Sequence, residues 1–147
     1  MMQQRELIPL LTCLKNKKSY IEIETNATIL PEPEVVKLID HWSLSPKLRN
    51  SGNPPSLREV PECYRFFSDL PSSHFKYVIQ DKDDLIEVQS TAQKYNLPKE
   101  RIILMPEAKD EETLVKRSRW LAETCKNQGY LFSTRLQIML WGNKRGV

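Results

Sequence analysis

At 147 residues the chain has the length of one domain and enough material for a single buried core. Its 22 Lys and Arg stand against 19 Asp and Glu, a net +3 with the two signs interleaved, so no sustained basic field points to nucleic acid or an anionic membrane. The apolar runs fall far short of the roughly 18 residues that cross a bilayer, and the opening MMQQRE is not a secretory leader, so a cytoplasmic chain without membrane contact is expected.

In chain order, Gln4 to Lys17 carries Leu7, Ile8, Leu11 and Leu14 on one helical stripe, and Pro9 predicts that the helix starts near Leu7. Tyr20 to Glu24 alternates large and acidic side chains as a strand does, before Asn26 and Pro31 impose a loop. Pro33 to Ile39 reads as a short helix and Asp40 to Ser45 as a second strand. Lys47 to Pro61 is almost free of apolar residues and predicts a long loop of the kind that often carries function. Glu62 to Leu70 returns to helical spacing, and Phe75 to Ile79 is the clearest strand of the first half.

Asp81 or Asp83 can cap the next helix, which bears Leu85, Ile86, Val88 and Ala92 and ends at Tyr95-Asn96-Leu97-Pro98. Ile102 to Met105 is a continuous apolar run, expected of a strand covered on both faces. Glu111 to Gln128 predicts the longest helix, with Gly129 just past its end. Strand character resumes at Tyr130, and Leu136 to Trp141 reads as a closing strand followed by a basic, turn-forming tail. A helix, four strand–helix repeats and a final strand predict an α/β fold with a mostly parallel sheet and right-handed crossovers.

Cys13, Cys63 and Cys125 are too widely spaced for a disulfide framework or a clustered metal site, and the flanking leucines favour buried thiols at Cys13 and Cys125. His41 and His74 have no ligand-like neighbour in the sequence, so a zinc site is not expected. Gly-rich phosphate loops, nucleophile elbows and Ser/His/Asp order are absent from the sequence.

Ligands of parallel sheets gather beyond the carboxyl ends of the strands. The polar residues expected there are Glu24-Thr25-Asn26, Ser45-Pro46-Lys47, Gln80-Asp81, Met105-Pro106-Glu107 and the terminal Gly-Asn-basic segment. Glu24 facing an amine and Lys47 a carboxylate would suit an amino-acid-like ligand. Each group also has a structural reading: Asn26 as a turn residue, Ser45-Pro46 as a strand stop, Glu107 as a charge at a helix N-terminus.

The segments YIEIETNATILPEP, DHWSLSPKLRNSGNP, FKYVI, RIILMPE, RSRWLAETC and RLQIMLWGNKRGV, in that order, resemble the C-terminal two-thirds of the 7-carboxy-7-deazaguanine synthase family. The resemblance implies a partial barrel of the radical S-adenosylmethionine type. It also implies conversion of 6-carboxy-5,6,7,8-tetrahydropterin to 7-carboxy-7-deazaguanine with S-adenosylmethionine, a 4Fe–4S cluster and Mg2+. It assigns S-adenosylmethionine contacts to Ser45, Pro46 and Lys47, to Met105, Pro106, Glu107 and Ala108, and to the strand-end motif Glu24, Thr25 and Asn26. The C-terminal residue, Val147, would reach the pterin substrate.

Two positions depart from the family pattern, Ala27 and Ala108, where glycine would be expected for a backbone of positive φ. The family's CxxxCxxC and Gly-Gly-Glu-Pro motifs do not occur in these 147 residues. The expectation is a polypeptide that alone does not cleave S-adenosylmethionine. Its first strand would form an apolar edge covered by an N-terminal half or by a second copy, and a truncated or mis-called start at Met1 would explain the missing motifs. A half of a split enzyme and a non-catalytic remnant remain as competing readings.

Overall fold

A computed structural model describes residues 3–144 and Gly146. The sheet of the described residues has five strands, all parallel, in the order β1-β2-β3-β4-β5. They are β1 (Glu22–Thr25), β2 (His41–Leu44), β3 (Ser73–Ile79), β4 (Ile102–Pro106) and β5 (Leu131–Phe132). Strand order follows chain order, as it must when every crossover turns the same way and none skips a neighbour. The helices are α1 (Gln4–Asn16), α2 (Pro33–Val36), α3 (Pro55–Arg58), α4 (Pro61–Ser68), α5 (Lys82–Tyr95), α6 (Glu111–Gln128) and α7 (Leu136–Trp141).

Burial alternates along the central strands, so one face carries the core and the other does not. Trp42, Leu44, Phe75, Tyr77, Ile79, Ile102 and Leu104 are buried with Val35, Phe67, Val88 and Leu121 from the helices. The opposite face presents Glu22, Glu24, His41, Ser43, His74, Lys76, Val78, Ile103 and Met105, half-buried or exposed. The apolar run of β4 is therefore covered on one face only, against the expectation of two. Ile103 and Met105 lie on the uncovered side.

Helix ends follow their sequence signals. Asp81 caps α5 by accepting from the N–H groups of Asp83 (2.9 Å) and Asp84 (3.2 Å), and Asp110 caps α6 from Thr113 N–H (2.8 Å). Gly129 leaves α6 at φ 80 with its N–H on the Cys125 carbonyl, a conformation that suits a residue without Cβ.

Four other expectations are corrected. Helix α1 starts at Gln4, not near Leu7, because the buried Gln4 amide is tied to the following loop: Nε2 donates to Leu30 O (2.9 Å) and Oε1 accepts from Glu32 N–H (2.7 Å). Pro9 lies inside the helix, where Arg5 and Pro9 are both exposed and water can serve the carbonyl that loses its partner. The predicted long loop contains a 3-10 turn at Arg49–Ser51 and the single-turn α3, with Pro55 at its first position. Leu136–Trp141 is helix α7 rather than a strand. Its Leu, Gln and Met favour helix, and Ile138 is the residue it buries, against Ala108 and Leu114. Cys13 is exposed on α1, while Cys63 and Cys125 are buried.

Candidate functional site

Parallel register gathers the strand-end residues. The N–H of Ser45 donates to Thr25 O (2.7 Å), that of Glu107 to Ile79 O (2.9 Å) and that of Ser133 to Leu104 O (3.0 Å), so each strand continues its ladder just beyond its end. Ser45 and Pro46 are buried, and Lys47 is exposed. Pro46, Lys47, Asn50, Val78, Gln80 and Glu107 line one cleft of about 400 Å3 across the carboxyl ends of β2, β3 and β4. A larger hollow of about 800 Å3 lies between the N-termini of α5 and α6, lined by Asp81, Lys82, Asp110 and Arg117 among others. We place the candidate site in the smaller cleft because three strand ends converge on it, as they do in ligand sites of parallel sheets.

Two arginines brace the β4 end of this cleft. Arg117 of α6 donates to the carbonyl of Glu107 (2.6 Å) and also pairs with its carboxylate. Arg135, just before α7, donates to the carbonyl of Ala108 (2.7 Å). Ala108 is fully buried and is not among the residues of positive φ, so the methyl at this position strains nothing. Ala27 does adopt φ 59, as the glycine expectation implied, and its side chain is buried.

Of the residues anticipated as cofactor contacts, Pro46, Lys47 and Glu107 share the cleft. Thr25 is the last residue of β1 and Asn26 opens the turn after it, where Ala27 N–H reaches Thr25 Oγ1 (3.4 Å) and Thr28 Oγ1 donates to Asn26 Oδ1 (2.8 Å). Glu24 points to the uncovered sheet face and pairs with Lys76 of β3 at 3.1 Å. A ligand amine taken up by Glu24 would have to displace that ammonium. Met105 is half-buried on the same face, and Pro106 is buried. Val147 lies outside the described residues.

Pairing of β2 with β3 also brings His41 and His74 together, ring centroids 4.9 Å apart, although nothing in the sequence linked them. Burial is the main influence lowering the pKa of His74, and His41 and Arg101 act in the same direction. Its Nδ1 is buried and has no hydrogen-bond partner among the described residues. The signal was hidden because it depends on strand register, which places Ser43 beside His74.

The described cysteines do not fit an iron–sulfur cluster. A cluster requires several thiolates at one place, whereas Cys13, Cys63 and Cys125 sit on α1, α4 and α6. Burial raises the pKa of Cys125 to about 11 and moves Cys63 in the same direction, disfavouring the thiolate. Among the described residues no group of three or more His, Cys, Asp or Glu side chains could hold a metal ion. No helix of the described residues is long and apolar enough to cross a membrane.

No family model matches the chain. It is similar to curated proteins named 7-carboxy-7-deazaguanine synthase from three organisms. The Pyrobaculum aerophilum protein is 32% identical over 143 residues, which is 97% of this chain and 62% of that protein. The Rhodopirellula baltica protein is 27% identical over 155 residues (96% and 58%), and that of Halobacterium salinarum 26% over 144 residues (82% and 54%). The chain thus spans between about half and three fifths of the length of these relatives. With similarity running along nearly its whole length and an all-parallel α/β sheet beneath it, the chain is related to the 7-carboxy-7-deazaguanine synthases over the part of their length that it spans.

Proposed function

We propose that this chain is a single domain forming the C-terminal part of a 7-carboxy-7-deazaguanine synthase. On this reading it contributes to converting 6-carboxy-5,6,7,8-tetrahydropterin to 7-carboxy-7-deazaguanine in 7-deazapurine (queuosine) biosynthesis. The observation that carries the reading is the cleft shared by Pro46, Lys47 and Glu107, from two segments that flank β3, in a chain related to proteins of that name. S-adenosylmethionine bound in the cleft brings the sulfonium whose carbon–sulfur bond the family's radical chemistry breaks. The role of this chain's residues is to bind and orient it.

The exposed Lys47 ammonium meets the ligand's carboxylate, and a strand-end acid meets its amine. Glu107 already lines the cleft, although Arg117 holds its carboxylate; Glu24 reaches the amine only by releasing Lys76. The buried Ser45 and Pro46, with Thr25 and Asn26 at the neighbouring strand end, and Met105 to Ala108 opposite, shape the walls. The cluster thiolates and the Mg2+ ligands come from residues outside this sequence, and Val147, which lies outside the described residues, is the proposed contact with the pterin. Strand β1, at one edge of the described sheet, is then covered by strands of an N-terminal half or by a second copy.

Complementation tests the reading. The chain is expressed in a bacterium deleted for its own 7-carboxy-7-deazaguanine synthase, alone and together with the part of the Pyrobaculum relative that this chain does not match, and queuosine in tRNA is measured. Restoration only by the pair supports a catalytic half. Failure of the pair, with both polypeptides folded, favours the non-catalytic remnant.

A further inference from the structure

The segment after β2 has little apolar content of its own, yet it forms one wall of the cleft. It is held in place by two carboxylates one turn apart on α5. Asp84 is 4% exposed, and a buried carboxylate is unfavourable unless its acceptor capacity is used. Both donors converge on one oxygen: Gln80 N–H at 2.7 Å and Asn50 Nδ2 at 2.7 Å, the latter also reaching Val78 O (3.1 Å). Glu87, three residues on and therefore on the same helix face, accepts from Arg49 N–H (3.0 Å) and pairs with the Arg58 guanidinium. That ion pair is largely shielded, its side chains 12% and 23% exposed. One turn of α5 thus fixes the loop at Arg49, Asn50 and Arg58, immediately beyond Lys47.

We propose that Asp84 and Glu87 are positioning residues for the ligand cleft: they hold the β2 loop, with Lys47 and Asn50, in the geometry that binds S-adenosylmethionine, touching no ligand themselves. The inference rests on the cleft being the S-adenosylmethionine site. Without the two anchors the loop has to be ordered by the ligand, and that conformational entropy is subtracted from the binding free energy.

The test combines titration calorimetry with S-adenosylmethionine, hydrogen–deuterium exchange and thermal melts on the chain and three variants. Asp84→Ala removes the acceptor; Asp84→Asn keeps an oxygen where both donors converge; Glu87→Ala, at a helix position less buried than Asp84, keeps the test informative should Asp84→Ala not fold. The expected result is protection of the amides of residues 46–53 by ligand in the unaltered chain. Asp84→Ala and Glu87→Ala should each weaken binding tenfold or more and speed exchange in 46–53, with β3 exchange unchanged. Asp84→Asn should stay within about threefold of the unaltered chain, a rescue that follows from the shared oxygen. If the unaltered chain binds and both alanine variants bind within twofold of it, the positioning role is overturned while the cleft reading stands. If the unaltered chain neither binds nor gains protection, the cleft reading fails and the positioning role falls with it.

Discussion

Gln4 gives the sharpest test of how the first helix is held. Its side chain is one of the few buried polar groups, 9% exposed, and it makes two hydrogen bonds across a gap of more than twenty residues, donating to Leu30 O and accepting from Glu32 N–H. Gln4→Ala removes both. At a net value of about 1 kcal/mol for each bond, with about 1 kcal/mol more for backbone groups left poorly solvated, the loss is about 2–3 kcal/mol. Alanine's better helix propensity returns a few tenths of a kcal/mol. At roughly 2–4 °C per kcal/mol for a domain of this size, the melting temperature falls by about 5–10 °C. Gln4→Glu is the informative second variant. Its carboxylate still accepts from Glu32 but cannot donate to Leu30 O, and it places charge against a carbonyl in a buried site, so it should be less stable than alanine at neutral pH. Urea unfolding of the three proteins followed by circular dichroism gives the order Gln, then Ala, then Glu. A loss below about 0.5 kcal/mol for alanine, or glutamate as stable as glutamine, would refute the clamp.

Three further outcomes follow from buried or paired groups. The Tyr77 side chain is fully buried, and burial, with the Tyr64 phenol acting in the same direction, holds its pKa well above the ordinary value, so spectrophotometric titration of the native chain to pH 11 should leave this phenol un-ionised; ionisation of all five tyrosines there while the fold is intact would contradict its burial. Thiol titration of the native chain at pH 8 should detect Cys13 alone, with Cys63 and Cys125 appearing only on denaturation; prompt labelling of all three would contradict their burial. Asp40 accepts from Lys15 Nζ (2.7 Å) and Ile21 N–H (2.8 Å), and the Lys15 contact first, then the backbone bond, hold its carboxyl below its ordinary value. Its contribution is therefore complete above the unfolded carboxyl range, near pH 4, and is lost as pH falls through the depressed folded value. Melts of the chain and of Asp40→Asn should differ more at pH 7 than at pH 3, and a pH-independent difference would refute the linkage.

What the sequence revealed was governed by local physics. Asp81 and Gly129 act within a few residues of themselves, and the alternation of strand and helix from Tyr20 to Gln128 needs only periodicity, so those features were readable. Helix α7 was misread because six large residues in a row satisfy both periods, and the choice is made by Ile138 finding Ala108 and Leu114. The early start of α1 depends on Gln4 meeting Leu30 and Glu32, and the His41–His74 pair on the β2–β3 register. Neither is a local property. The same holds at the cleft: strand-end position picked out Pro46, Lys47 and Glu107, but nothing local singles out Asp84 and Glu87 on the first turns of α5. Their burial and hydrogen bonds exist only once the β2 loop folds over them.

The central claim, that the β2–β4 cleft is a ligand site and Lys47 its cationic anchor, is tested most directly by titrating S-adenosylmethionine into the chain and into Lys47→Ala. Lys47 is exposed, so its replacement should leave the melting temperature within about 1–2 °C, as surface substitutions do. The account predicts saturable one-to-one binding to the chain, weakened about tenfold or more by Lys47→Ala, in keeping with the loss of one charge-assisted hydrogen bond. Equal affinity of the two proteins, or no saturable binding to either, would contradict it.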